Sequence, residues 1–313
     1  MTRTSSLSAA TLVVCSALAV GCAVTTHPSE PSTLGTSRGS RELEAVIEQP
    51  GPVELETVRS ADWVVARAGL IDLDAPKAKA AGLHDGDEPI QIFFHALRHP
   101  QHGLFVVDSG TERALRDDRE QAAVRGFATR FLNFEALKVH EPLGDWLARQ
   151  HTPLAGVFLT HLHVDHVMGL PDAPAGTPIY VGKGEAAASS FMNVFAQSIT
   201  DRTLLGKPAL REWQFVADSA GAFDGVLDVF GDGSVWALWT PGHTPGSTSY
   251  LVRTPKGPVL LAGDTCHTRW GWDHTVAPGD FTADRVQNQS SLERLTQLVS
   301  RHPSIDVRLG HQH

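Results

Sequence analysis

Six consecutive residues, His161-Leu162-His163-Val164-Asp165-His166, carry four groups able to bind a metal ion, directly after the apolar run Gly156-Val157-Phe158-Leu159-Thr160. A short apolar run of this kind reads as a buried strand, which places the cluster in the loop at its C-terminal end. On extended backbone, residues two apart point to the same side, so His161 and His163 can grip one ion together. Asp165 and His166 fall where the chain turns and are aimed elsewhere. One loop therefore serves two neighbouring ions, and the fold must bring further ligands to it from distant strands.

Three later segments supply them in one recurring order of apolar strand, glycine and ligand. Val235-Trp236-Ala237-Leu238-Trp239 leads through Thr240-Pro241-Gly242 to His243, Val259-Leu260-Leu261-Ala262 through Gly263 to Asp264, and Ile305-Asp306-Val307-Arg308-Leu309 through Gly310 to His311. Glycine permits a sharp turn or a close backbone approach there, and a rigid strand before a tight turn holds a ligand accurately. The expected ligand sets are His161, His163 and His243 for a first ion and Asp165, His166 and His311 for a second, with Asp264 bridging them. His313 competes with His311, which is preferred because it follows its glycine directly. Three histidines with one position open make a catalytic set rather than a closed structural one. Imidazole and carboxylate suit Zn²⁺ as the default divalent ion, with Fe, Mn, Co or Ni as alternatives.

With these residues placed, the chain resembles the metallo-β-lactamase-fold hydrolases, whose HxHxDH…His…Asp…His pattern it matches in order. Thr240-Pro241-Gly242-His243-Thr244-Pro245-Gly246 and Ala262-Gly263-Asp264-Thr265 look like the usual surroundings, and Val106-Val107-Asp108-Ser109-Gly110 like the family's early strand-turn element. The resemblance covers roughly residues 60–313. It implies an α+β fold, a four-layer αββα sandwich with the dimetal site at one edge between the sheets. An aspartate at position 264 resembles the lactonases, glyoxalase II-like thioesterases and phosphodiesterases more than the β-lactam-hydrolysing members, and the chain most resembles the quorum-quenching lactonase-like branch. Some of those lactonases carry a tyrosine three residues beyond the bridging aspartate; here the residue is His267, positioned to donate a hydrogen bond in its stead.

The expected chemistry is metal-assisted hydrolysis of an ester-like bond, with a lactone favoured. Two cations lower the pKa of a bridging water, and the resulting hydroxide attacks a carbonyl that one ion polarises. Asp165 and Asp264 orient the nucleophile and accept its proton, and His267 assists as an acid. Thioester, phosphodiester or β-lactam cleavage on the same scaffold is the alternative, and a metal-binding periplasmic lipoprotein without catalysis is the reading from a different class. Ligands alone do not name the substrate, because loops set it.

The 313 residues carry a net charge of −9 with 42% hydrophobic and 19% charged residues, and no basic run. A nucleic-acid partner needs a basic surface and is not expected; the expected partner is a small-molecule ester or lactone. Residues 1–22 read as a signal peptide of lipoprotein type: Arg3, the apolar Leu7 to Val20, then Leu18-Ala19-Val20-Gly21-Cys22, which resembles a bacterial lipobox. Cys22 would then carry a lipid anchor in the membrane, placing the protein in the bacterial cell envelope facing the periplasm or exterior, or secreted if Cys22 is not lipidated. Of the three cysteines only Cys266 then stays in the folded domain, so no disulfide framework forms, and a small buried apolar filler is its simplest role.

Residues 23–40, rich in Ser, Thr, Pro and Gly, read as a flexible tether and 41–313 as the hydrolase domain. Within it, Arg41–Glu48 suggests a short helix; Trp63–Leu70, Ile90–Leu97 and Gly103–Asp108 suggest strands. Phe131, Phe134, Leu137, Leu143, Trp146 and Leu147 give an interrupted helical spacing over 130–150. Gly184–Ile199, with Phe191, Met192, Val194 and Phe195, reads as a helix; residues 218–233 as hairpin or loop; and Ser290–Ser300 as an amphipathic helix ended by His302-Pro303. Five of sixteen histidines serve the metal sets. His99, His102, His140, His151 and His302 read as solvated loop residues. Arg269-Trp270-Gly271-Trp272-Asp273-His274 reads either as a pocket wall or as tryptophan packing. Asp108 either orients a metal-binding histidine or caps its strand turn.

Overall fold

Alternate residues of the strands face different apolar layers, and this period of two builds the architecture. In Gly103–Val107, Leu104 and Val106 join an outer layer with Leu143, Trp146, Leu170 and Leu204. Phe105 and Val107 face a central layer with Phe158, Trp213, Tyr250 and Val252. In Gly257–Leu261, Val259 and Leu261 meet the same central layer, while Leu260 faces a second outer layer with Leu43, Ile47, Leu292, Leu295 and Leu298. Helix, sheet, sheet and helix therefore stack in that order, as the αββα expectation requires.

The computed structural model describes residues 22–126, 129, 133–190 and 193–312. The signal segment 1–21, Phe131, Phe191, Met192 and His313 lie outside the described residues. The strands, in chain order, are β1 (Cys22–Ala23), β2 (Ser29–Pro31), β3 (Thr36–Arg38), β4 (Glu54–Ala66), β5 (Asp87–His99), β6 (Gly103–Val107), β7 (Lys138–Val139) and β8 (Leu154–Phe158). They continue as β9 (Ile179–Val181), β10 (Ser189–Ser190), β11 (Leu210–Glu212), β12 (Gly225–Asp228), β13 (Val235–Trp239), β14 (Thr248–Thr254), β15 (Gly257–Leu261) and β16 (Asp306–Arg308). Among the described residues the large sheet runs β2-β11-β9-β8-β6-β5-β4-β7 and the small sheet β16-β15-β14-β13-β12-β3, with β1 paired to β10 apart from both. Parallel pairing of β6 with β8 and of β15 with β16 brings several C-terminal strand ends to one edge of the sandwich.

Several sequence expectations are corrected. Residues 23–40 are not a free tether: β2 adds to the edge of the large sheet and β3 to the edge of the small one, so the segment straps both sheets. Its polar side chains serve the domain rather than water. Thr26 donates to Asp201, and the His27 ring meets the Pro208 carbonyl at 2.9 Å. Proline is tolerated in β2 because the strand is an edge. The strand expected over Trp63–Leu70 stops at Ala66, and Arg67–Leu70 forms a helical turn whose Ala68 N–H is taken by Asp85. Among the described residues of 130–150 the expected helix is broken into a 3-10 turn, Phe134–Ala136, and a short α-helix, Leu143–Ala148. The helix expected over Gly184–Ile199 is displaced to Asn193–Thr203, because the backbone turns at Gly184, with φ +75°, and around Glu185. The helices near 41–48 and 290–300 form as Ser40–Val46 and Arg285–Arg301.

His99 is buried rather than solvated. Its Nδ1 accepts the backbone N–H groups of Gln101 and His102, so its proton sits on Nε2, 2.9 Å from Asp232 Oδ2. His99, His102 and Asp232 lie close enough to suggest a metal group. With both ring nitrogens of His99 committed, Nδ1 as acceptor and Nε2–H as donor, the trio is instead a lock on the β5–β6 hairpin. His102, His140 and His151 are exposed, and His302 is half-buried between Glu44 and Glu48.

Candidate metal centre

β8 ends at Phe158, and Leu159-Thr160 carry the chain into the His161–His163 loop; a short helix, Val164–Val167, then holds Asp165 and His166. His243 follows β13, Asp264 follows β15 and His311 follows β16. The glycines before them answer to local contacts. At Gly242, with φ +138°, a Cβ would lie 2.2 Å from the Asn288 nitrogen, and at Gly310 it would lie 2.1 Å from Asp264 Oδ1.

The seven expected ligands converge as two groups. His161, His163, His243 and Asp264 form one, and Asp165, His166, Asp264 and His311 the other, with the ligand atoms of each group within 4.8 Å of one another. Asp264 alone belongs to both. Its Oδ2 is 3.3 Å from His166 Nε2, 3.4 Å from His243 Nε2, 3.4 Å from His311 Nε2 and 3.7 Å from His161 Nε2. His163 presents Nδ1 2.9 Å from His243 Nε2.

Outer contacts aim these rings. His166 Nδ1–H donates to Asp108 Oδ2 at 2.8 Å, leaving Nε2 directed at the centre; His311 Nδ1–H donates to the Gln91 carbonyl at 3.0 Å with the same result. Asp108 also accepts the Thr160 N–H, and the Thr160 hydroxyl lies 3.1 Å from His161 Nδ1. Asp108 therefore holds the His166 ring, the contact that one of its two expected roles requires. Asn288, on the helix Arg285–Arg301, accepts the His243 N–H and donates to the Thr265 carbonyl.

The donor set fits divalent cations. His161 Nε2, His166 Nε2 and Asp264 Oδ1 are buried with no hydrogen-bond partner among the described residues, an expensive arrangement unless an ion takes the lone pairs. Burial and neighbouring imidazoles hold His161 and His243 well below the usual histidine range. At His311 burial acts the other way from Asp264 and Asp165, which win and raise it to about 10. The carboxylates likewise hold His166 well above its ordinary value against burial. A cation held there would compete with protons for these donors.

His267 is packed into the centre with Nε2 2.9 Å from Asp264 Oδ2 and Nδ1 3.3 Å from the Leu70 carbonyl. Cys266 is buried among Leu292, Leu295 and Leu309, with its thiol on the Thr268 carbonyl and pushed up to about 12 by burial, so it fills space. Trp272 packs on the small-sheet helices, and Trp270 stacks on His274. Sequence reasoning missed Glu185, Asn288 and Thr160. For Glu185 the available signal was a lone acid within an otherwise glycine- and alanine-rich run.

The Metallo-beta-lactamase superfamily pattern matches residues 96–311. The chain is 36% identical over 156 residues to the N-acyl homoserine lactonase AttM of Agrobacterium fabrum, covering 50% of this chain and 57% of that relative. It thus spans little more than half the length of the curated relatives it matches. A quorum-quenching N-acyl homoserine lactone lactonase structure superposes with TM-score 0.60 at 21% identity, over 85% of this chain and 94% of that one. An N-acyl homoserine lactone hydrolase with N-hexanoyl-L-homoserine at its catalytic metal centre superposes with TM-score 0.59 at 19% identity, over 84% and 94%. At these identities the structures show a shared fold.

Proposed function

The chain belongs to the metallo-beta-lactamase superfamily, and on that premise we propose that it is a dimetal hydrolase that opens lactones, with acyl-homoserine lactones as the foremost class. The observation that carries the reading is the pair of ligand groups sharing Asp264. The lactone preference is supported by the curated lactonases that align with half of the chain. Zinc is the proposed metal, because neutral imidazole and carboxylate suit it.

Two divalent ions held there would supply a water acidified toward neutral pH and a Lewis acid for the carbonyl oxygen. The protein's own groups do the rest. His161, His163 and His243 would hold one ion, and Asp165, His166 and His311 the other. Asp264 belongs to both groups and would offer its carboxylate to either ion. Asp165 and Asp264 are the carboxylates of the two groups that would accept the water's proton. His267 holds Asp264 in place; donation from this ring to a substrate, the role expected from its position after Asp264, requires its Nε2 to leave that carboxylate.

The test is turnover by metal-loaded protein of acyl-homoserine lactones, simple lactones, a thioester, an aryl phosphodiester and a chromogenic cephalosporin, with and without chelator. Chelator-sensitive hydrolysis of lactones is expected. Turnover of another member and not of lactones would replace the substrate while keeping the site.

We also propose that Cys22 carries a lipid anchor in the bacterial cell envelope, on the strength of the run Leu18-Ala19-Val20-Gly21-Cys22. Cys22 opens β1, which pairs with β10, so such an anchor would hold the domain close against the bilayer. Cys22→Ser should then move the protein from the membrane fraction to the soluble one; an unchanged distribution would refute the anchor.

A further inference from the structure

We propose that Glu185 is the positioning residue of the first half of the centre, tying together the two loops that deliver His161, His163 and His243. This inference rests on the dimetal reading above. Glu185 is fully buried at the turn after β9. One carboxylate oxygen, Oε1, accepts the N–H of Leu162 at 2.8 Å, between His161 and His163. The other, Oε2, accepts the Thr244 hydroxyl at 2.6 Å and the Gly246 N–H at 3.0 Å, in the turn that follows His243. A single side chain thus spans two loops that are remote in sequence and adjacent at the ion.

The chemistry of the three partners requires a carboxylate. Two of them are backbone N–H groups, one facing each oxygen, and neither can ever accept a hydrogen bond. An ionised carboxylate satisfies both loops at once. An amide of the same shape turns its NH₂ toward one of the two N–H groups whichever way it is flipped, so it must release one loop. The surroundings leave no room for compensation. A Cβ at Gly246 would lie 2.5 Å from Glu185 Cβ, and one at Gly182 would lie 1.7 Å from the Gly246 carbonyl oxygen. The second half of the centre has separate supports, Asp108 on His166 and the Gln91 carbonyl on His311. Glu185 therefore acts on one ion and not on the other.

Zinc affinity measured by competition with a chromogenic chelator tests this in two backgrounds. In His311→Ala the ion retained is the one on His161, His163 and His243; in His243→Ala it is the other. Adding Glu185→Gln should weaken binding by about 10–100-fold in the first background and by less than about threefold in the second, as removal of an outer-shell partner does. No change in the first background, or equal weakening in both, overturns the proposal. Failure of the unmutated protein to bind two ions would instead overturn the dimetal reading. If circular dichroism shows that Glu185→Gln does not fold, Thr244→Val takes its place. That variant removes one donor from the same carboxylate, and a shift confined to the His311→Ala background is again required.

Discussion

The Nε2 of His267 meets Asp264 Oδ2 at 2.9 Å, inside the ring of imidazoles that converges on the same oxygen. The carboxylate shared by both ligand groups is thus steered by a histidine that is itself outside either group. His267→Ala should leave two zinc ions bound and lower kcat for lactones by about 10–100-fold, with KM changed far less. Steady-state kinetics with metal analysis on the same sample checks it. Undiminished kcat would remove His267 from the machinery.

Gly310 lies where any side chain would strike Asp264, since its Cβ would sit 2.1 Å from Asp264 Oδ1. Gly310→Ala must displace that carboxylate or the β16 turn. A misplacement of this size should cost about 10²-fold in lactone turnover, while the strands and both outer layers stay intact by circular dichroism. Near-normal turnover would show that Asp264 tolerates the shift.

Glu112 is buried, and burial together with Asp172 raises its carboxyl from 4.5 to about 7 against the opposing Ala123 N–H. The folded chain then holds a proton on Glu112 that the unfolded chain has lost between these values. Stability owed to this group is complete below about pH 4.5, declines as pH rises to about 7 and is flat above. Glu112→Gln lacks the decline. Its stability relative to the unmutated protein should therefore grow from pH 5 to about pH 7 and then level off, as read from urea unfolding at a series of pH values. A constant difference across that range would contradict the assignment.

The strap formed by β2 and β3 covers the outer edge of each sheet. Deleting residues 23–38 removes backbone hydrogen bonds worth about 1 kcal/mol each, so Tm should fall by at least about 5 °C. The bared edges of β11 and β12 should also promote association between copies. A thermal scan and light scattering check both; an unchanged Tm would restore the tether expected from composition.

The convergence of the seven side chains was legible because its signals are local. Spacing by two puts His161 and His163 on one side, and the glycines before His243, Asp264 and His311 mark strand ends that must turn tightly. The alternation of Leu104 and Val106 against Phe105 and Val107 likewise announces a strand buried on both faces. What failed to show were features set by partners distant in the chain. Glu185 lies in an alanine-rich run that reads as helix, yet Leu162, Thr244 and Gly246 turn it into a clasp. The polar segment 23–40 looks unfoldable alone, and it becomes ordered by pairing with strands nearly two hundred residues away. His99 reads as a loop residue until Asp232, from another hairpin, closes over it.

The central claim is that two ions, joined by Asp264, open a lactone. Metal-free protein titrated with Zn²⁺ while ring opening of an acyl-homoserine lactone is followed by pH-stat tests both parts together. Turnover should rise and reach its plateau at two equivalents per chain. A plateau at one equivalent, or two bound ions with no ring opening, would contradict the account.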